Sequence, residues 1–412
     1  MSVNKSITII TPNYYPEDTA IGYYTTDFAN NLVSRGFEVQ IITGFPYYPQ
    51  WKIEASYRDH PNYFKETIDN ITIYRYKMYL PKKVTFFGRI KMMLSLLKGT
   101  FQNIKNIEKT NLVVCVVPFT LFIFPAFILA EKNKSPLWIH IQDFEFDLAF
   151  ETGIYQNVFS KTIKYFIFNL EKYLLNKADV ISSISYNMLR KIHQKTQKKD
   201  AFYFPNWVSS EKINPTLAKK HRFFNEKVFS MLYSGNIGQK QNWEAFIDLC
   251  HRIKQEDNIE IVIVGDGAYS DQLKEQTRNF EFVKFYEPVP FCELNDLLCS
   301  ADLHFLFQKT EVVDTVMPSK ILGMLASKKP SIVTGNKYSE VKTIFDNANC
   351  GCFLDQNNGA EIYDRLLHLK ENSALRENWG KNGRKYVLEH FSETNVLSNT
   401  IDKINQMVNN SK

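Results

Sequence analysis

Short apolar runs alternate with helical segments along all 412 residues, and this rhythm constrains the fold more than any other feature of the chain. Strands are predicted in the first half at 7–11, 38–43, 71–76, 112–117, 137–142 and 179–184. They are predicted in the second half at 228–234, 259–264, 282–286, 302–307 and 331–334. Strands that alternate with helices form βαβ units, which build doubly wound sheets. The sequence therefore predicts an α/β protein with two Rossmann-like domains.

The segment Phe204-Pro205-Asn206 is predicted to join the two domains, because a chain of this length exceeds one ordinary core. We assign 1–205 to an N-terminal domain, 206–390 to a C-terminal domain, and 391–412 to a helix that crosses back to the N-terminal domain. Ligands of such sheets bind at the carboxyl ends of the strands. With two domains facing each other, the cleft between them is the expected site.

Charge is distributed unevenly between the two halves. Residues 1–205 contain 25 Lys and Arg against 17 Asp and Glu, a net charge of +8, whereas residues 206–412 have a net charge of −2. A basic half could bind an anionic membrane surface or a nucleic acid, and ordinary surface charge explains it equally well.

The six cysteines form no Cys-x-x-Cys pair, so neither a disulfide scaffold nor a zinc site is expected. A signal-peptide core is absent from the N-terminal residues, which predicts a cytoplasmic protein.

Two apolar segments bear on membrane contact. Residues 112–130 are uncharged over a length that could span a bilayer, but Pro118 and Pro125 interrupt them. We therefore predict a buried strand, a turn and an apolar helix there. Residues 81–98 combine basic, aromatic and aliphatic side chains. That segment is predicted either to lie in a membrane interface or to pack on the sheet with a cationic rim.

Two glycine-bearing loops and a Pro-Ser-Lys turn predict a diphosphate site in the second half. Glycines let the backbone approach an anion, a helix start offers free N–H groups, and lysines supply charge. Lys240 is predicted to neutralise a leaving diphosphate, with a solvated surface lysine as the alternative. A lysine at a helix start is unfavourable for the macrodipole unless an anion binds there. The candidate residues are Gly235, Asn236, Gly238, Lys240, Gly265, Asp266, Gly267, Ser319 and Lys320.

Ser319 and two further candidates, Pro288 and Gly22, each have two possible roles. Ser319 is predicted to cap the helix or to contact a phosphate oxygen. Pro288 is predicted to wall a base pocket, or else to form a turn. Gly22 is predicted to open the first helix toward a substrate or phosphate, or else to serve an ordinary strand-to-helix turn. The sequence Gly265-Asp266-Gly267 does not complete a dinucleotide fingerprint, so a dehydrogenase is disfavoured.

Acidic residues alternate with phenylalanine after the strand at 137–142. His140 and Gln142 should share one face of this strand. Asp143, Glu145 and Asp147 then follow. The alternatives are a metal site, an acid/base group that meets an acceptor hydroxyl, and a solvated loop. We favour the interpretation in which Asp143 and His140 face the hydroxyl group of an acceptor substrate, and we predict no metal site.

Several segments together carry a family resemblance. They are PNYYPEDTAIGYYT (12–25), TGFPYYPQW (43–51), WIHIQDFEFD (138–147), FPNW (204–207), YSGNIGQKQ (233–241), VMPSKILGMLA (316–326) and WGKNGRKYVLEHFS (379–392). Through them the sequence resembles the retaining glycosyltransferases of family four, which have the two-domain GT-B fold. More narrowly, it resembles the bacterial capsule, O-antigen and colanic acid enzymes of the fucosyl- or N-acetylfucosaminyltransferase type. The resemblance covers nearly the whole chain.

The resemblance implies metal-free, retaining transfer of a sugar from a nucleotide donor to a lipid-linked acceptor. It also implies that a basic pair holds the donor diphosphate. Lys240 matches the lysine of that pair, whereas Asn236 stands where many members have arginine. Asp314 or Thr315 lies near the first of two family glutamates, and Gly323 replaces the second. Ribose recognition and the identity of any acid/base residue are therefore left open.

The predicted function is thus a cytoplasmic glycosyltransferase of surface polysaccharide biosynthesis, peripheral on the inner membrane face. Its expected partners are a UDP- or GDP-sugar donor and a polyprenyl-diphosphate-linked glycan acceptor, with no cofactor and no nucleic acid. A sugar-nucleotide epimerase of the same fold is the nearest alternative. A non-catalytic partner that docks at the membrane through 81–98 is the alternative from another class.

Overall fold

The structure is a computed structural model that describes residues 5–18, 20–48, 50–81, 86–144, 146–147, 161–196, 200–311, 318–355 and 358–409. The chain divides into two compact units. The first unit contains Met1–Pro205 and Leu397–Lys412, and the second contains Asn206–Val396. The seam predicted at 204–206 therefore lies where the structure divides the chain.

The first unit contains an eight-stranded sheet in the order β3-β4-β2-β1-β5-β6-β7-β8. Every neighbouring pair is parallel except β3 and β4. The order reverses between β1 and β5. The strands are β1 Ser6–Ile10, β2 Glu38–Gly44, β3 Tyr63–Ile68, β4 Ile71–Tyr76, β5 Leu112–Val117, β6 Leu137–Ile141, β7 Val180–Ser183 and β8 Ala201–Tyr203. The helices are α1 Ala20–Ser34, α2 Phe86–Asn103, α3 Ile123–Asn133, α4 Lys161–Leu175 and α5 Tyr186–Lys195.

The centre of this sheet is formed by continuous apolar runs. All residues of β1, β5 and β6 are buried, as expected for parallel strands covered by helices on both faces. The uncharged segment 112–130 forms β5, a turn and the beginning of α3, which confirms the prediction. Among the described residues, we find no helix with the length and apolar character needed to cross a membrane.

The second unit contains a six-stranded parallel sheet in the order β11-β10-β9-β12-β13-β14. Its order reverses at β9, which lies between β10 and β12. The strands are β9 Phe229–Ser234, β10 Ile259–Val264, β11 Val283–Tyr286, β12 Leu303–Phe307, β13 Ser331–Thr334 and β14 Gly351–Leu354. The helices are α6 Trp243–Arg252, α7 Ser270–Thr277, α8 Leu294–Ser300, α9 Lys320–Ala326, α10 Glu340–Ala348, α11 Gly359–Glu371 and α12 Ser373–Phe391.

The last helix, α13 (Glu393–Asn409), begins in the second unit and continues into the first. Lys5 Nζ donates to Asn409 Oδ1 at 2.6 Å, and Arg35 donates to Ser398 Oγ at 3.1 Å. The structure therefore assigns 397–412 to the first unit, whereas the sequence boundary was drawn at 391. Three strands of the structure, β3, β8 and β14, were not predicted.

Candidate active site

The candidate site of the second unit is built on two loops that follow neighbouring strands. Residues 235–242 follow β9, and residues 265–269 follow β10. Gly235 N donates to Val264 O at 2.9 Å, and Ile237 N donates to Asp266 O at 2.9 Å. These bonds join the loops at the carboxyl edge of the sheet where the strand order reverses. This is the place at which doubly wound sheets bind ligands.

The glycines of the second loop permit this close approach of the two backbones. A Cβ on Gly265 would lie 2.0 Å from Gly235 O, and one on Gly267 would lie 2.4 Å from Ile237 O. Asp266 Oδ1 accepts from Gly267 N at 2.7 Å and so closes its own turn. The structure therefore gives Gly265, Asp266 and Gly267 a role in holding the loops together. Their predicted part in a diphosphate site stays a prediction.

Lys320 is the first residue of α9, and its side chain reaches the first loop. Its ammonium donates to the Tyr233 hydroxyl at 2.7 Å, and that hydroxyl donates to Asn236 O at 2.6 Å. A Cβ on Gly235 would lie 3.1 Å from Lys320 Nζ. Gly235, at φ +129°, therefore leaves the space that the ammonium occupies. The structure thus brings the predicted residues Gly235, Asn236 and Lys320 together.

The charge on Lys320 has no counter-ion in the described part of the chain. Its ammonium forms no ion pair with any described carboxylate, and desolvation lowers the pKa of Lys320 to about 7. The side chain is half-buried, and a desolvated cation without a partner is costly, since it loses hydration without gaining an opposite charge. An anion bound beside Gly235 would offset this cost.

Lys240 lies in the first loop and keeps its ammonium available. Its carbonyl accepts from Lys309 N at 3.2 Å, which fixes the backbone. In the residues that the structure describes, no hydrogen bond or ion pair engages the Lys240 ammonium. Gly238 N donates to Gln241 Oε1 at 3.0 Å, and Gly238 O accepts from Trp243 Nε1 at 2.9 Å. Side chains of the loop and of α6 therefore hold the backbone before Lys240 in one shape.

The remaining donor-site candidates are less informative. Ser319 is the N-cap residue of α9, but its side chain makes no capping hydrogen bond, so the predicted cap is wrong. Its phosphate contact stays a prediction. Pro288 is exposed and follows β11. Asp314 and Thr315 lie outside the described residues.

In the first unit, the loop after β1 is organised by Glu17, a residue that no sequence pattern singles out. Its buried carboxylate accepts from four N–H donors, at 2.7 to 3.2 Å: the backbone amides of Tyr14, Tyr47 and Tyr48 and the Asn13 side chain. Burial raises the pKa of Glu17, and the four donors oppose that rise. The carboxylate thereby ties the loop after β1 to the loop after β2.

Gly22 lies in the first turns of α1 and packs against the same loop. A Cβ at this position would lie 2.4 Å from Glu17 O. The structure therefore explains Gly22 by the close approach of α1 to the Glu17 backbone. The predicted contact of Gly22 with a substrate or phosphate stays a prediction.

His140 lies in β6 and is buried with both ring nitrogens engaged. Gln142 Nε2 donates to His140 Nε2 at 2.9 Å, which confirms that the two side chains share one face. The other nitrogen, Nδ1, then carries the proton and donates to Ser182 Oγ at 2.9 Å. Burial lowers the pKa of His140 to about 3. Because its basic nitrogen already accepts a hydrogen bond and burial weakens its basicity, His140 is poorly suited to take a proton from an acceptor hydroxyl, and the structure favours a structural role for it.

The acidic residues after β6 have separate roles. Burial raises the pKa of the Tyr48 phenol, and the negative charge of Asp143 adds to this rise. Asp147 forms ion pairs with Lys191 at 2.9 Å and with Lys195 at 2.5 Å. Glu145 lies outside the described residues. The carboxylate of Asp147 is therefore neutralised within the unit, while Asp143 stays the first-unit candidate for contact with an acceptor.

Comparison with known proteins extends this description. A family model described as Glycosyl transferases group 1 matches residues 214–386, which include both glycine loops and α9. A putative colanic acid biosynthesis glycosyl transferase, WcaI from Escherichia coli K12, is 30% identical over 411 residues. The match covers 95% of this chain and 98% of WcaI.

Solved structures match the chain at nearly full length. Sucrose-phosphate synthase from Thermosynechococcus elongatus has a TM-score of 0.74 at 12% identity, covering 98% of this chain and 99% of that one. HepE from Anabaena, in complex with UDP, has a TM-score of 0.69 at 12% identity, covering 98% of this chain and 100% of that one. At these identities the likeness shows the fold alone.

Proposed function

Because the chain belongs to the group 1 glycosyl transferases and has the GT-B fold, we propose that it transfers a sugar from a UDP- or GDP-sugar to a lipid-linked oligosaccharide. The reaction retains the configuration of the anomeric carbon and needs no metal ion. Its place is surface polysaccharide biosynthesis, as the name of the WcaI relative suggests. The sugar is of the fucose or N-acetylfucosamine type that the sequence resemblance implies.

The observation that carries the proposal is the desolvated ammonium of the half-buried Lys320 beside the Gly235 backbone. No described carboxylate neutralises it, and the loop that it contacts also presents Lys240. Two cationic side chains at the carboxyl edge of one sheet suit a diphosphate, which carries negative charge before and after transfer. The UDP complex of the HepE neighbour agrees with a nucleotide diphosphate as the ligand class.

These residues assist the chemistry by stabilising the leaving group. The acceptor hydroxyl oxygen forms a bond to the anomeric carbon while the bond from that carbon to the diphosphate oxygen breaks. The electron pair of the broken bond passes to the diphosphate, and the acceptor proton moves to a donor phosphate oxygen. Lys240 and Lys320 stabilise the charge that develops on the diphosphate. Asp143 contacts the acceptor in the first unit.

The proposal is tested by Lys240→Ala, with Lys274→Ala as the matched control in the same unit. UDP- and GDP-sugars are first screened for thermal stabilisation, and the best donor is assayed with a polyprenyl-diphosphate sugar. Loss of one charge-stabilising side chain should reduce turnover by about 10²-fold, whereas the control should retain wild-type turnover. Transfer by Lys240→Ala at the wild-type rate contradicts the role of this lysine. Consumption of donor without acceptor identifies an epimerase instead.

Metal independence has its own test. Since the lysines supply the positive charge that a divalent cation supplies elsewhere, EDTA should leave the transfer rate unchanged. A strict requirement for Mg²⁺ or Mn²⁺ in the same assay overturns this part of the proposal.

A membrane-bound acceptor requires the enzyme to reach a lipid surface, and three helices of the first unit offer one. Helices α2, α3 and α4 each connect two parallel strands and cover the same side of the first sheet. We call the outer surface of these three helices the aromatic face. Phe101 of α2 meets Phe124 of α3 at 5.5 Å between ring centroids. Lys177, just after α4, lies over Phe127 of α3 at 4.9 Å. Its exposed apolar side chains are Phe87, Ile90, Leu94, Phe124, Ile128, Tyr165, Phe166, Leu170 and Tyr173.

Charge on the aromatic face favours anionic lipid as the partner. The sequences of α2 and α4 contain six basic residues, Arg89, Lys91, Lys98, Lys161, Lys164 and Lys172. The only acidic residue in these two helices is Glu171, which is 2% exposed. Aromatic side chains among lysines suit the headgroup boundary of an anionic bilayer. The segment predicted for membrane contact, 81–98, supplies part of this surface, and its residues 82–85 lie outside the described chain.

Membrane contact is tested by vesicle flotation. The wild-type protein should float with vesicles of phosphatidylglycerol and phosphatidylethanolamine, and much less with pure phosphatidylcholine. Serine at Phe87, Leu94 and Phe166 should abolish flotation, whereas serine at Leu217 and Tyr338, exposed in the second unit, should not. Equal flotation of both variants contradicts the assignment of the aromatic face.

A further inference from the structure

Tyr233 is buried directly beneath the charged part of the candidate site, and no step described above uses it. We infer that Tyr233 is a positioning residue whose hydroxyl holds the Lys320 ammonium against Gly235, aimed at the diphosphate of the donor. The inference rests on the proposed function, because it names the residue that aims one of the two lysines at the leaving group.

The hydroxyl of Tyr233 has a defined orientation. Its hydrogen is donated to Asn236 O at 2.6 Å, so its oxygen lone pairs remain for the Lys320 ammonium at 2.7 Å. The hydroxyl therefore links the loop backbone to the lysine with both of its functions used. A change at this oxygen alters the position of the ammonium relative to Asn236.

Packing fixes the ring that carries this hydroxyl. The Tyr233 side chain is 1% exposed, and its ring meets Trp243 at 5.1 Å and Phe305 at 5.6 Å between centroids. Trp243 in turn donates from Nε1 to Gly238 O at 2.9 Å. The same aromatic cluster thus supports the hydroxyl and the loop that precedes Lys240. Because these contacts involve the ring, phenylalanine at 233 should preserve them.

The lysine that Tyr233 holds has hydrogen-bonding capacity left for a ligand. An ammonium has three donors, and the Tyr233 hydroxyl takes one. The Tyr233 ring lies 4.2 Å from Lys320 Nζ and stabilises the cation without using a donor. In the described part of the chain, no other acceptor is bonded to this ammonium. A diphosphate at Gly235 would meet an ammonium that is already oriented.

The experiment compares Tyr233→Phe with Tyr363→Phe by calorimetry. Tyr363 is the matched control, since its hydroxyl also makes a 2.7 Å hydrogen bond, to Asp257, but on helix α11. Each protein is titrated with UDP and UMP, and with GDP and GMP. The ratio of diphosphate to monophosphate affinity isolates the contribution of the second phosphate. Loss of one hydrogen bond to a charged group should lower that ratio about tenfold in Tyr233→Phe, and leave it unchanged in Tyr363→Phe.

A double-mutant cycle with Lys320→Met separates positioning from a general structural effect. If Tyr233 acts through Lys320, then Tyr233→Phe should produce no further loss of the affinity ratio in the Lys320→Met background. An equal further loss in that background overturns the inference, as does an unchanged ratio in Tyr233→Phe. Wild-type protein that binds neither UDP nor GDP overturns the proposed function itself. Wild-type binding with an unaffected Tyr233→Phe overturns the inference alone.

Discussion

Close to the point where its strand order reverses, each of the two sheets is associated with a charged side chain withdrawn from solvent, the buried Glu17 and the half-buried Lys320, and the two charges have opposite surroundings. In the first unit, the carboxylate of Glu17 accepts four N–H donors from its own and a neighbouring loop. In the second unit, the ammonium of Lys320 donates to a single hydroxyl and has no described counter-ion. Glu17 is satisfied by the fold, whereas Lys320 is not.

This difference separates a residue that stabilises from a residue that binds. A buried charge with all of its hydrogen bonds made contributes to the native structure, and its removal leaves donors without acceptors. A buried charge without a partner lowers stability and gains from a ligand of opposite sign. The comparison therefore predicts a loss of stability from changing Glu17 and a loss of activity from changing Lys320.

The largest effect is expected from Lys320→Met. The variant keeps the length of the side chain but removes its charge, so the transfer rate should fall by about 10²-fold or more. Its stability to urea should equal or exceed that of the wild type, because an uncompensated buried cation is replaced by an apolar side chain. Lys337→Met, at an exposed position in the same unit, is the control. A variant that is destabilised but fully active would reverse the assignment of roles.

A smaller effect, on stability, is expected from Glu17→Gln. The amide nitrogen of the glutamine would face N–H donors that the carboxylate now satisfies, so the free energy of unfolding should fall by about 2 kcal/mol. Asp18→Asn removes the neighbouring, exposed carboxylate and should cost little. Urea unfolding measures both variants. Nucleotide binding by the folded fraction of Glu17→Gln should remain at the wild-type level, and a selective loss of UDP affinity would contradict a purely structural role.

The two charges should also give opposite dependences of stability on pH. Burial lowers the pKa of Lys320 from its ordinary 10.5 to about 7, so the unfolded chain binds more protons between these values. The wild type should therefore gain stability relative to Lys320→Met as the pH increases from 7 to 10.5, so that the advantage of the variant becomes smaller. Burial raises the pKa of Glu17 above its ordinary 4.5, so the difference between wild type and Glu17→Gln should fall as the pH increases above 4.5.

Urea titrations of the three proteins at several pH values test these slopes. Parallel curves for the wild type and Lys320→Met from neutral to alkaline pH would show that Lys320 is not desolvated in the apo protein. Lys320 would then no longer differ from Glu17 as a charge that the fold leaves without a partner.

The smallest effect is expected from His140→Asn. Because His140 is neutral and both of its nitrogens are already bonded, it should contribute no limb to the pH profile of kcat/KM. The profile of the variant should have its inflections at the same pH values as the wild type. Loss of an inflection near neutral pH would restore the catalytic role that the sequence suggested.

Much of the fold could be predicted from the sequence because its central strands are continuous apolar runs. Strands β5 and β10 were predicted at 112–117 and 259–264, where the structure has them. Strand β3 was missed because it is an antiparallel strand with half-exposed, charged positions. Its hairpin turn, Asp69-Asn70, has positive φ at both residues, and this pair was the signal that could have revealed it. Strand β14 is four residues long and mostly half-buried.

The candidate site was only partly predictable, since local sequence reveals loops and charges but not their distant partners. The glycine loops and a lysine at a helix start were recognised from adjacent residues. The contact between Lys320 and Tyr233 joins residues 87 positions apart, and the bond from Tyr47 to Glu17 joins residues 30 apart. Only folding brings these groups together. A tyrosine hydroxyl within a buried strand needs a partner, but its sequence does not name that partner.

The assignment of Leu397–Lys412 to the first unit makes the second unit an insertion in the sequence of the first. A ribosome therefore completes residues 206–396 before it delivers the helical segment that contacts Lys5 and Arg35. The first unit can therefore complete its packing only after residues 206–396 have been synthesised, because residues 397–409 belong to it. Deletion of residues 397–409 should consequently destabilise the first unit.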